Sequence, residues 1–127
     1  MRLRQLTFFA TSLALACQRE TSDVRAGHAL ASAIKDSIGA KGDPAVSLLM
    51  RAHGRNLQIQ FDSVAFANMS RASFQVRARD IAEFSLRHYT ADPGDSVIVL
   101  ARNREQPGVW RIVRQASFAR ADLIRTP

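Results

Sequence analysis

A single cysteine in 127 residues excludes an intramolecular disulfide, so the fold gains no covalent staple. Lysine is nearly absent: Lys35 and Lys41 stand against sixteen arginines. Aromatic residues make up 7%, and most occupy apolar-stripe positions, which leaves few rings for stacking on single-stranded nucleic acid. Trp110 and Phe61 are exceptions only if they point outward. The six glycines form no phosphate loop, and Lys41-Gly42-Asp43-Pro44 places a proline where backbone donors would be needed. There is no G-x-S-x-G elbow. His28, His53 and His88 lack both the H-x-x-x-H spacing and the carboxylate company of a metal site. Asp62-Ser63 and Asp95-Ser96 read as turn and cap chemistry. Asp80 and Glu83 lie within one helical turn among Arg79 and Arg87, where surface ion pairing is the ordinary role. The sequence therefore points to no catalytic residue, no metal and no cofactor, and to a protein that is not an enzyme.

What is present is concentrated at the start. Arg2 and Arg4 precede an uncharged apolar run, Leu6 to Ala16, that ends in small residues at Cys17. This order of positive, apolar and small-residue regions is that of an export signal, and 11 residues are too few for a stable membrane-spanning helix. Leu13-Ala14-Leu15-Ala16-Cys17 resembles the lipobox of bacterial lipoproteins. The resemblance implies that the Cys17 thiol becomes a lipid thioether and that residues 1–16 are then removed. With Gln18 after the cysteine, it further implies a periplasm-facing protein held in the outer membrane where the host has one. Ala14-Leu15-Ala16 is also an acceptable site for ordinary signal cleavage, which would release a soluble periplasmic or secreted protein.

Removing the signal leaves 111 residues and lowers the formal charge from +7 to +5. That length suits one domain with a modest core. No repeat, low-complexity tract or second long apolar run divides it. Residues 17–26 are expected to be a tether and 27–127 a single α/β domain.

Within that domain, Leu30, Ala33, Ile34, Ser37 and Ile38 share one helical face over about 23–38, with Ser22 or Asp23 as cap and Gly39 as stop. Residues 45–52 and 57–61 read as strands around a turn at His53-Gly54-Arg55-Asn56, and Leu57, Ile59 and Phe61 alternate with Gln58 and Gln60. A second helix is expected over about 71–89 behind Ser70. Its stripe is Phe74, Ala78, Ile81, Ser85 and Tyr89, and Glu83 and Arg87 are spaced to pair on the other side. Residues 96–101 and 109–113 read as strands joined by a loop at 102–108, and Phe118, Leu123 and Ile124 can dock on the domain edge.

The order α-β-β-α-β-β predicts an α+β two-layer sandwich: a mainly antiparallel four-stranded sheet with two helices on one face. As far as the third strand this order resembles the BON domain of bacterial envelopes. Arg77-Ala78-Arg79-Asp80-Ile81-Ala82 carries the local likeness. Asp62-Ser63 replace the glycine expected after the second strand, and a fourth strand is added.

The expected function is that of a lipid-anchored envelope module binding a protein, a glycan or anionic lipid. Its contact surface is the sheet face away from the helices. Gln58, Gln60 and the arginines Arg102, Arg104, Arg111 and Arg114 are the candidate binding residues. A periplasmic small-ligand carrier with a pocket between helices and sheet is the alternative. If the chain is not exported, a basic nucleic-acid-binding domain, with Arg51 and Arg55 added, is the third reading. Export argues against a nucleic-acid partner.

Overall fold

The structure is a computed structural model that describes residues 22–37, 44–51 and 54–124. The signal, residues 17–21 of the expected tether with Cys17, Ile38, Gly39, the 41–43 loop and His53 lie outside the described residues. Helix α1 covers residues 22–37. The remaining elements are β1 (Ala45–Arg51), β2 (Gly54–Phe61), α2 (Val64–Ala67), α3 (Arg71–His88), β3 (Ser96–Gln106), β4 (Val109–Ala119) and α4 (Arg120–Ile124). The fold is α+β, around one open four-stranded sheet of order β1-β2-β3-β4.

The outer pairings are antiparallel, whereas the central pair, β2 and β3, is parallel, so the sheet is mixed. A parallel pair cannot be joined by a tight turn, and the segment through α2 and α3 supplies the long crossover it needs. The two inner strands show different burial patterns. In β2 only Leu57, Ile59 and Phe61 alternate into the core, whereas Val97 through Ala101 of the central β3 are all buried.

One buried cluster joins Ala26, Leu30 and Ile34 of α1 with Phe74, Ala78, Ile81 and Ala82 of α3. The same cluster takes in Leu57, Ile59, Phe61, Val97, Val99, Ala101, Ala116 and Phe118 from the strands. Ile98 and Leu100 are buried but outside it, at the alternate register positions beside Gln58 and Gln60. Helix α3 follows its sequence pattern closely. The Ser70 side chain accepts from the Ser73 N–H at 3.1 Å, and the buried Ser85 hydroxyl satisfies itself on the Ile81 carbonyl at 2.7 Å.

Three local expectations are corrected. The first hairpin turns more tightly than expected: Arg55 and Asn56 are already in the ladder, opposite Met50 and Leu49. Glu83 pairs with Arg79 at 3.1 Å, not with Arg87, which is exposed in the last helical turn where a cation suits the helix dipole. The third correction is the largest. Most of the 102–108 loop is strand, and only Pro107 and Gly108 form the turn.

Candidate functional site

The extra strand residues build an arm. The β2–β3 ladder stops at Phe61 opposite Ala101, while β3 and β4 stay paired out to Gln106 opposite Val109. Residues 102–113 therefore form a two-stranded ribbon with no third strand beside it among the described residues, about 17 Å long at the usual rise of a strand. Pro107 followed by Gly108 at φ +83° is the residue pair of a type II turn. That turn matches the twist of paired strands poorly, and the register slips between Arg104 and Gln106.

An isolated two-stranded ribbon is marginal in water, so its root needs fixing. Arg102 does this with a bidentate pair to Asp62, just beyond β2, with both contacts at 2.8 Å. The Arg102 guanidinium also lies 4.9 Å over the Trp110 ring. The hydrogen bond from Arg102 holds the Asp62 carboxyl below the ordinary aspartate value, and the same bond raises Arg102 above its usual value. Arg114 donates to the Met69 carbonyl at 2.9 Å and to the Val113 carbonyl at 2.8 Å, tying the other strand to the segment between α2 and α3.

The four candidate arginines thus divide by use. Arg102 and Arg114 are occupied as latches at the root. Arg111 meets Glu105 at 3.2 Å on the surface, and Arg104, exposed opposite Trp110 in the register, makes no ion pair or hydrogen bond with any described residue. The alternation also separates them. Arg102 and Arg104 share the register face of Gln58 and Gln60, whereas Arg114 stands opposite Ala101 on the cluster face.

Sequence reasoning did not find the surface these residues border. Val109, Trp110 and Ile112 are all exposed, at 48%, 41% and 51%, in one short stretch of the arm. The β-rich run Val109-Trp110-Arg111-Ile112-Val113 reads as a strand, but nothing in it shows that the strand outruns its neighbour.

A concave surface lies at the opposite edge of the sheet. A groove of about 930 Å³ runs between α1 and the edge strand β1, with Val24, Ala31, Val46 and Leu48 among its apolar walls. Its polar end holds Asp23, Arg55 and Tyr89, with Arg55 and Asp23 paired at 3.2 Å. Burial pushes the Tyr89 phenol above its ordinary pKa, and the nearby Asp23 charge adds to the effect. His28 is exposed on the α1 wall, and His88 stacks on Phe84 with ring centres 4.1 Å apart.

Among the described residues no group of three or more His, Cys, Asp or Glu side chains could hold a metal ion. No described helix is long and apolar enough to cross a membrane. No family model, curated protein or solved structure matches the chain.

Proposed function

We propose that this chain is an exported, lipid-anchored envelope protein, held to a membrane through Cys17, whose α+β domain is a binding module. The observation that carries the reading is the sequence Leu13-Ala14-Leu15-Ala16-Cys17 at the end of a short apolar run behind two arginines. The latched arm supports the second half. Residues 104–112 are exposed without a break, and holding such a ribbon rigid by Asp62 and the Met69 carbonyl is what a presented contact surface requires. The test is intact-mass analysis of the membrane fraction. The expected species begins at Cys17 and carries acyl mass, and Cys17→Ser leaves the unprocessed precursor. An unmodified chain beginning at Cys17 in the soluble fraction would contradict the anchor.

The groove between α1 and β1 favours a second reading, a carrier for a small apolar molecule. Native mass spectrometry of the chain recovered from envelopes separates the two. A carrier retains a bound small molecule, and a surface module does not.

A further inference from the structure

We propose that the 102–113 arm enters the interfacial layer of an anionic bilayer, with Trp110 at headgroup depth and Arg104 and Arg111 on lipid phosphates. Three of the seven exposed large apolar side chains of the described residues, Val109, Trp110 and Ile112, lie in four consecutive positions on this arm. They are not on one side of it. Trp110 and Ile112 share one face of the strand, and Val109 takes the other by alternation. A flat protein surface covers one face of a ribbon, whereas a bilayer interface surrounds both.

The charge fits the same medium. Residues 102–114 contain Arg102, Arg104, Arg111 and Arg114 against the single acid Glu105, in a chain of formal charge +7. Arg104 is uncommitted, and the exposed Arg111–Glu105 pair is of the weak surface kind, so both guanidinium groups can turn to phosphate. An indole with an apolar body and one N–H donor is the side chain that favours the headgroup region. Each arginine near an anionic surface contributes about 1 kcal/mol, about fivefold in partitioning.

The inference rests on the proposed envelope location only for having a membrane at hand. Asp23, in the first turn of α1, contacts Arg55 at the start of β2, so the start of α1 and the arm lie toward opposite ends of the parallel strands.

Trp110 is the only tryptophan, so its fluorescence reports the arm wherever else the chain touches lipid. The full-length chain is mixed with vesicles of phosphatidylglycerol and phosphatidylcholine, with matched vesicles carrying brominated acyl chains, and with phosphatidylcholine alone. With phosphatidylglycerol present, the emission is expected to shift to shorter wavelength, to be quenched by bromine, and to revert as salt rises. Arg104→Glu with Arg111→Glu should weaken that response at least about tenfold with an unchanged circular dichroism spectrum, and Cys17→Ser should leave it intact. Failure of lipidation thus registers at Cys17 and failure of the arm at Trp110. Trp110 emission that stays water-like while the chain sediments with the vesicles would overturn the proposal and leave the arm facing solvent or a protein. A response equal on neutral vesicles and indifferent to the double charge reversal would overturn it as well.

Discussion

Gly94 and Gly108 stand just before and just after β3 with nearly the same backbone angle, φ +80° and +83°. Their surroundings have nothing in common. A Cβ on Gly94 would lie 2.2 Å from the Arg55 carbonyl oxygen, whereas one on Gly108 would meet nothing within 4 Å. The first glycine is required for both its angle and its lack of a side chain, the second for its angle alone. Around Gly94 the chain is knotted into the body: the Asp95 N–H bonds the Arg55 carbonyl, and the Arg120 N–H bonds the Asp95 carbonyl, each at 2.9 Å. Around Gly108 the ribbon has left its neighbours behind. One strand is therefore anchored at its start and offered to the surroundings at its end.

The sharpest way to break this contrast is to add the same methyl at both glycines. Gly94→Ala is expected to cost more than about 3 kcal/mol by urea unfolding. The left-handed angle alone costs about 1–2 kcal/mol, and the overlap with backbone at Arg55 cannot be relieved by a rotamer change. Gly108→Ala should lose only the angular part, about 1–2 kcal/mol. Equal losses would mean that the two ends are packed alike. Within the body, Ile81→Ala should cost about 2–5 kcal/mol, because Ile81 is fully buried and its removal leaves a cavity between α3 and the sheet.

A smaller effect tests the latch. Asp62 binds its proton less readily in the folded chain than the ordinary value of 3.8 describes, because Arg102 hydrogen-bonds the carboxylate. Its contribution to stability is therefore whole above pH 3.8 and disappears as pH falls through the lower folded value. Asp62→Asn should remove that part of the acid-unfolding curve and change little at neutral pH, since partly exposed pairs contribute about 0–1 kcal/mol. At the other end, Tyr89 should act with the opposite sense. Stability is unaffected below about pH 10 and falls above it, where the unfolded phenol ionises first. Tyr89→Phe should abolish that alkaline limb.

How much of this was legible follows from where each signal resides. Helix α3 was readable because Phe74, Ala78, Ile81 and Ser85 repeat one face over 18 residues, and all four are buried. The helices α2 and α4, of four and five residues, are too short to show a period. The parallel pairing of β2 with β3 depends on contacts made across the whole crossover and leaves no local mark. Only the first strand of the arm reads as a loop, for a physical reason: Arg102-Asn103-Arg104-Glu105-Gln106 buries no face, so it carries no alternation by which a strand is recognised. The positive charge of the candidate site was plain in the sequence. Which arginines remain free was not, because Asp62 and Met69 reach Arg102 and Arg114 from 40 and 45 residues away.

The smallest expected effect is the most direct test of the division between body and arm. Val109→Thr with Ile112→Thr keeps the branched side chains that suit a strand and removes apolar surface that is about half exposed. The unfolding free energy of this double variant should stay within about 1 kcal/mol of the parent, at about half a kcal/mol per surface substitution. Its Trp110 response to anionic vesicles should fall in the same preparation. A loss approaching that of Ile81→Ala would show that the arm is part of the core, and would contradict the account.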